Sequence, residues 1–211
     1  MGRDRSGEWR PPEPIETPPV FVWPPNPRGF LKWLFGFNGY LWPWYAGYAG
    51  LAVASWLWLT PDLARMKTLE PGWIALILAR NAAIVFAVVG AWHLRLYIQR
   101  AQGTDYKYNA RWQATDRPQF LFRDQVLDNM FRTFASAVPI WTGYEVVTLW
   151  GQANGWFPTF AWRDHPIYGA ALMLAIPLVL EVHFYLIHRF IHWPPLYRRV
   201  HYIHHKNANP G

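Results

Sequence analysis

The sequence lacks cysteine altogether: none of its 211 residues is one. This absence excludes disulfide bridges, thiolate metal ligands and cysteine nucleophiles. Charge is also scarce, since Asp, Glu, Lys and Arg make up 16% of the residues whereas 52% are hydrophobic. A soluble domain of average composition carries about 25% charged residues. The composition therefore favours a membrane protein.

Acidic residues are the scarcer charged class, with 13 Asp and Glu against 20 Lys and Arg, for a net charge of +7. Aromatic residues are abundant, with 15 Trp and 11 Tyr. These two side chains concentrate where water meets lipid. We therefore interpret the basic excess as basic loops on the cytoplasmic side of a membrane protein, and we expect no nucleic-acid partner.

The first 38 residues differ in composition from the rest. Eight prolines and charges of both signs occur within Met1–Arg28, and such a segment buries too little apolar surface to fold alone. We expect it to be a disordered or loosely docked tail. Residues Gly29–Asn38 are rich in aromatics and are expected to lie along the membrane surface. Residues 39–211 are predicted to form one membrane-embedded domain.

Four apolar segments follow this tail, and about 20 apolar residues suffice for a helix to cross a bilayer. An amphipathic stretch, Gln119–Arg132, precedes the third segment and has apolar residues at helical spacing. We predict an all-α integral membrane protein with about four transmembrane helices and with cytoplasmic helices that carry histidines. The four segments are Tyr40–Thr60, Trp73–Tyr97, Phe134–Leu149 and Ile167–Ile191.

Lysine and arginine are distributed unevenly among the connections. The residues before the first segment, those from Arg95 to Arg132, and those from Arg189 onwards hold 16 of them. The other two connections hold only Arg65, Lys67 and Arg163. Because basic loops stay on the cytoplasmic side, we place both termini, residues 98–132 and the histidines there. The membrane would be a cell inner membrane or the endoplasmic reticulum.

Arg80 lies inside the second predicted span and Glu145 inside the third. Each would cost a few kcal/mol if left alone in lipid. Counted from the outer ends of their helices at 1.5 Å per residue, both lie about 10 Å deep. We predict that the two side chains pair, which is a structural role. An ion or proton path is the weaker interpretation, because no further acids or bases line up at that depth.

Six of the eight histidines occur in the last thirty residues, and imidazole is the commonest protein ligand for first-row transition metals. His188 and His192 are four residues apart, which places both rings on one helical face. His201, His204 and His205 have i, i+3, i+4 spacing and would share a second face. The two groups together predict a metal site.

Pro194 and Pro195 break the helix between the two groups, so that the chain can turn and bring the second group back towards the first. Glu181 and Tyr185 fall on the same face as the first pair, where their side chains could form supporting hydrogen bonds to the ligand rings. Ordinary helix packing explains these two residues equally well. His183 points away from that face. It is therefore a weaker ligand candidate, and we group it with the two supporting residues.

A metal site is not the only interpretation of histidines in a membrane protein. A lone histidine at a membrane interface is usually a solvated polar anchor, which is our interpretation of His93 and His165. Five histidines at helical spacing are harder to explain as solvated anchors. If neutral, their ring nitrogens need hydrogen-bond partners, and if protonated, the rings repel one another. A metal ion removes both problems, because it binds the deprotonated nitrogens. No Glu follows His188 or His201 as in HExxH, which disfavours a zinc protease. A haem pair is disfavoured because the prolines interrupt the helix.

The last 24 residues, HRFIHWPPLYRRVHYIHHKNANPG, resemble the first two histidine boxes, HxxxH and HxxHH, of the fatty acid hydroxylase/sterol desaturase superfamily of membrane oxygenases. Asp124–Glu145 and the EVHFYLI that precedes the boxes are also similar to bacterial sterol-desaturase-like members. The resemblance implies a non-haem di-iron centre, for which Zn2+ can substitute, held by three histidine boxes on the cytoplasmic side of a four-helix membrane bundle. Such enzymes use O2 and electrons to hydroxylate or desaturate a lipid C–H bond.

The resemblance also implies the site residues and the partners. No catalytic residue is separable from the metal site. The partners would be a fatty acyl or sterol-like lipid, O2 and a small electron-transfer protein that meets the basic cytoplasmic face. By motif, the metal ligands are His188, His192, His201, His204 and His205.

The family's third box, a further HxxHH, does not occur within the 211 residues. We expect the sequence to be an N-terminal fragment that can fold into the bundle without being able to turn over substrate. Two other functions stay open. One is a multi-span metal-binding or transport protein whose histidines handle Zn2+ in transit, and the other is a non-catalytic relative of the oxygenases.

Overall fold

A computed structural model describes residues 17–107, 109–161, 163–202 and 205. All the regular secondary structure of these residues is helical, which confirms the all-α prediction. Extended backbone pairs only in an isolated bridge between Thr115 and Asp124 among the residues described. The candidate ligand His204 and the part of the predicted tail before Thr17 lie outside these ranges.

The chain falls into two compact units. The first unit contains the described residues up to Trp112 together with Val138–Val146. The second contains Gln113–Ala137 and the described residues from Val147 onwards.

The first unit contains three complete helices. These are α1 (Pro27–Phe35), α2 (Trp44–Leu59) and α3 (Pro71–His93), and a π-helical turn over Leu94–Ile98 prolongs α3. Proline stands at the start of α1 and α3, where its missing N–H costs no helical hydrogen bond. The side chain of Asn26 caps α1 by accepting a hydrogen bond from the Gly29 N–H at 3.0 Å.

The core of the first unit lies where α3 meets the first part of α5 (Val138–Ala153). Ile77 of α3 and Val138 and Val146 of α5 are buried there, and Met66 is buried in the turn before α3. The indole N–H of Trp73 donates to the Thr68 carbonyl at 2.9 Å. Apolar packing and a satisfied indole therefore fix the start of α3.

The second unit begins with irregular backbone and then becomes helical. It contains α4 (Gln125–Arg132), a π-helical turn over Thr133–Ala137, the end of α5, and α6 (Pro166–Ile191). The amphipathic stretch predicted from Gln119 becomes α-helical only at Gln125. The reason is local, since Phe122 and Arg123 adopt left-handed φ values of 58° and 59°. Asp124 then caps α4 by accepting from the Leu127 N–H at 2.9 Å.

Two helices in the described part of the chain are long and apolar enough to cross a membrane. They cover Pro71–Ile98, 28 residues, and Pro166–Ile191, 26 residues. The first predicted span corresponds to α2, which has 16 residues. At 1.5 Å per residue α2 is about 24 Å long, short of a hydrocarbon core of about 30 Å. The third corresponds to α5, which continues α4 and the π-helical turn without a break but is not one of the two helices that meet both criteria. Four crossing helices therefore stay a prediction.

The surface of α6 is largely apolar and exposed. Ile167, Val179 and Phe184 are 86%, 63% and 63% exposed, and Gly169 is the buried residue of this helix. Contiguous apolar surface of this kind marks contact with a membrane or a partner. The helix leads directly to the candidate site.

Candidate metal centre

The last turn of α6 presents the first pair of histidines. The rings of His188 and His192 stack with centroids 4.9 Å apart and planes inclined by 22°. The His192 N–H donates to the His188 carbonyl at 3.2 Å, so the pair is held by the helix's own final hydrogen bonds. The i, i+4 spacing thus places both rings on one face, as the sequence predicts.

The chain turns sharply after α6. Pro194 and Pro195 open α7 (Pro194–Leu196), and the N–H groups of Leu196 and Tyr197 donate to the Trp193 carbonyl at 2.9 and 2.8 Å. Prolines suit this position because the first N–H groups of a helix have no helical acceptor. A π-helical turn over Tyr197–His201 follows directly.

This turn brings His201 back against the first pair, which confirms the predicted reversal. The His201 ring centroid lies 4.7 Å from that of His188 and 4.7 Å from that of His192, both with the rings edge-on. His205 lies four residues further along the chain. Its centroid lies 4.7 Å from that of His201 and 5.1 Å from that of His192.

The four histidines form a group that could hold a metal ion. His188, His192, His201 and His205 each offer one ring nitrogen, and these atoms all lie within 4.8 Å of one another. Two nitrogens bound to one zinc at about 2.0–2.1 Å are at most about 4.2 Å apart. Small rotations of the side chains therefore suffice for coordination. The nitrogen-only donor set fits a first-row transition metal such as iron or zinc.

The group is sheltered unevenly from solvent. His201 is buried, with 6% of its surface exposed, and His188 and His205 are half-buried. His192 is exposed. Solvent, a metal ion or a small molecule would therefore reach the group from the side of His192.

Tyr197 is a member of this site that sequence reasoning missed as a functional residue. Its ring centroid lies 5.5 Å from that of His205, 5.7 Å from that of His192 and 6.1 Å from that of His201. It is half-buried. Its position four residues before His201 was the available signal, because that spacing places two side chains on one helical face.

The candidate supporting residues take different positions. The Tyr185 hydroxyl accepts a hydrogen bond from Arg189 Nη1 at 2.8 Å, which leaves its predicted link to a ligand ring a prediction. Glu181 and His183 are exposed on α6, and neither belongs to the four-histidine group. An aromatic neighbour does contact the site, since the Phe184 ring lies 5.3 Å from that of His188.

The predicted pairing of Arg80 and Glu145 is confirmed. Arg80 Nη2 donates to both carboxylate oxygens of Glu145 at 2.5 Å. The side chains are 7% and 25% exposed, respectively. The positive charge of Arg80 on α3 and the negative charge of Glu145 on α5 therefore neutralise each other within the first unit.

Comparisons with known proteins yield no relative. No protein-family model matches the chain, and no curated protein and no solved structure matches it significantly. The assignment of a metal site therefore depends on the geometry of the four histidines.

Proposed function

We propose that this chain carries the histidine-box centre of a membrane-bound, O2-dependent oxidoreductase that hydroxylates or desaturates a lipid C–H bond. One observation carries the proposal: the rings of His188 and His192 converge with those of His201 and His205. These pairs come from the HxxxH and HxxHH motifs that resemble the boxes of the fatty acid hydroxylase/sterol desaturase superfamily.

Iron is the metal that the motif favours, and zinc is the substitute expected when iron is scarce. Imidazole nitrogens bind both ions well, so the donor set supports a first-row metal without selecting between them. The four described histidines suffice for one ion. A second iron would draw on His204 and on a further histidine box of the kind found in this superfamily.

The chain's own residues hold and shelter the site. The prolines after α6 fix the turn, and the Tyr197 ring restricts the rotation of the histidines that it contacts. The apolar surface of α6 leads to His188, so a lipid chain lying along this helix would end beside the rings. When bound, the iron pair supplies O2 activation and the removal of hydrogen from the C–H bond.

The membrane topology is part of the same proposal. Helices α2, α3, α5 and α6 would cross the membrane, with both termini and the histidines in the cytoplasm. The segment 98–132 would lie on that side and present a basic surface to a small, acidic electron-transfer protein, because charge complementarity steers such encounters.

Metal transport is the competing function, and the polar residues of the first unit do not support it. A transport path needs polar ligands within the spans. Among the described residues, Arg80, Asn81 and Glu145 are bonded to one another there. A closed, charge-neutral cluster offers no string of ligands to a moving cation.

The test is lipid oxidation by the protein in membranes. Purified membranes would be incubated with isotope-labelled O2, a reducing system and native lipids, followed by mass spectrometry of the lipids. We expect a product that either carries labelled oxygen or has lost two hydrogens, absent in His188→Ala and present in the matched variant His183→Ala. Unchanged lipids, or the same product from His188→Ala, would refute the proposal.

A further inference from the structure

Helix α4 packs with its polar side inwards. Gln125 and Asp128 are buried, and together with Arg132 they occupy one face of the helix at helical spacing. Gln125 Oε1 accepts a hydrogen bond from the Ala114 N–H at 2.8 Å. Asp128 Oδ1 accepts from Arg132 Nε at 3.0 Å and from the Leu121 N–H at 3.4 Å. The irregular backbone before α4 therefore covers the polar face of this helix.

The apolar side of the same helix is exposed. Leu127, Met130 and Phe131 lie on the opposite face at i, i+3, i+4 spacing and are 49%, 42% and 52% exposed. Phe122 extends this face, because its ring meets that of Phe131 edge-on with centroids 6.0 Å apart, and it is 66% exposed. These four side chains form the outer face of α4. A helix on the surface of a soluble domain has the reverse arrangement, with its apolar stripe on the core.

The backbone at Phe122 is a second sign that this face has a partner. Its φ of 58° lies in the left-handed region, which bulky side chains rarely adopt. Strained backbone of this kind clusters at functional sites. The strain here accompanies an aromatic ring that is held outwards beside Phe131.

Charge does not select the partner of the outer face. Residues 115–132 contain three Asp and three Arg, so their net charge is zero. Arg123 pairs with Asp116 at 2.8 Å, and Arg132 pairs with Asp128 at 3.0 Å. The outer face is therefore suited to an occupant that is recognised by its apolar character.

The size of the outer face argues against a second copy of the chain or another protein. If each large side chain offers about 200 Å² when fully exposed, the four exposed fractions amount to about 400 Å² of accessible surface. A stable protein–protein interface takes about 800 Å² from each partner. The outer face supplies about half of that area.

A bilayer surface needs less area, because the chain itself can hold α4 against it. Helix α4 runs without a break through the π-helical turn into α5, and α6 of the same unit is long and apolar enough to cross a membrane. Tethering makes the binding of a second segment intramolecular. A modest apolar face then suffices to keep a helix at the boundary between headgroups and acyl chains.

We propose that α4 is an interfacial helix that lies along the surface of a phospholipid bilayer. The outer face is inserted among the acyl chains, and the covered polar face is directed towards water. The occupant is a zwitterionic phospholipid surface, recognised by its apolar interior and not by headgroup charge. The four-histidine group lies outside this segment, so the inference does not depend on the proposed oxidoreductase activity.

The experiment measures the depth of single spin labels by electron paramagnetic resonance. The purified full chain would be reconstituted into phosphatidylcholine vesicles at a low protein-to-lipid ratio. The chain has no native cysteine, so Leu127→Cys places one label on the outer face and exposed Thr115→Cys places one on the covering backbone. We expect the label at position 127 to collide more with O2, which enters the acyl chains, than with a water-soluble nickel chelate. The label at position 115 should show the reverse preference.

A double variant with a matched control tests the outer face itself. Phe122→Asn/Phe131→Asn removes both exposed rings and leaves the buried polar face intact, so the label at position 127 should lose its preference for O2. Phe35→Asn/Phe37→Asn changes two exposed aromatic residues outside this segment and should leave the preference unchanged. Added phosphatidylglycerol or high salt should also leave it unchanged, because the charges of residues 115–132 cancel.

Each outcome has one meaning. A label at position 127 that collides mainly with the nickel chelate places the outer face in water and overturns the inference. A label that neither reagent reaches shows that protein covers the face, which overturns it as well. An O2 preference that requires phosphatidylglycerol overturns the zwitterionic occupant. The expected depth pattern in a wild-type chain that oxidises no lipid would support this inference and refute the proposed function alone.

Discussion

At the scale of single residues, the Arg80–Glu145 pair shows how charge is kept inside apolar helices. Arg80 lies nine residues after the start of α3 and Glu145 lies eight before the end of α5, so helical rise alone suggested that they meet. The sequence did not reveal Thr60, which accepts from Arg80, or Thr142, which accepts from Asn81, as partners. Neither residue is charged, and isolated threonines in apolar helices are common enough to carry no signal.

Removing one member of this pair should destabilise the fold. We expect Glu145→Ala to lower the free energy of unfolding by about 3 kcal/mol, because it leaves the buried guanidinium uncompensated. The double variant Arg80→Met/Glu145→Leu should lose much less. Chemical denaturation in detergent micelles measures both, with exposed Glu70→Ala as the control at no more than about 1 kcal/mol. Equal unfolding midpoints for Glu145→Ala and wild type would contradict the role of the pair.

At the scale of elements, the turn from α6 into α7 makes the candidate site. The prolines and the i, i+4 spacing predicted both the reversal and the first histidine face. The π-helical turn over Tyr197–His201 could not be predicted, since apolar spacing does not distinguish π from α geometry over five residues. The start of α4 at Gln125 instead of Gln119 could not be predicted for a similar reason. Left-handed backbone at Phe122 and Arg123 leaves no compositional trace, because neither is glycine or asparagine.

The length of this turn should matter more than its side chains. Deleting Arg199 would rotate the following residues by about 100° around the helix axis, which turns His201 and His205 away from the first pair. We expect metal content, measured by elemental analysis of the purified chain, to fall to background. Arg199→Ala keeps the length and should keep the metal. Retained metal in the deletion variant would show that the turn does not set the site.

At the scale of the whole molecule, composition gave the helical class but not the number of crossings. Helices α3 with its π-helical extension and α6 meet the length and apolarity that a crossing requires. The boundaries of α2 could not be predicted, because the apolar run that suggests a span continues into turn and capping residues such as Tyr40 and Thr60. The proposed orientation rests on the distribution of lysine and arginine.

The absence of native cysteine makes that orientation directly measurable. Single cysteines would replace two exposed loop residues, Gln102 and Lys67. In intact cells, a membrane-impermeant maleimide should label Lys67→Cys and leave Gln102→Cys unlabelled, with the pattern reversed in inverted vesicles. Labelling of both sites from one side would rule out a crossing between them and with it the proposed topology.

The central claim is that His188, His192, His201 and His205 together hold a metal ion. Elemental analysis of the purified chain, after removal of loosely bound ions with a mild chelator, tests it most directly. We expect about one iron or zinc per chain in the wild type and in His183→Ala, whose imidazole lies outside the group. The double variant His188→Ala/His205→Ala should bind none. A wild-type chain without metal, or a double variant with the wild-type content, would contradict the account.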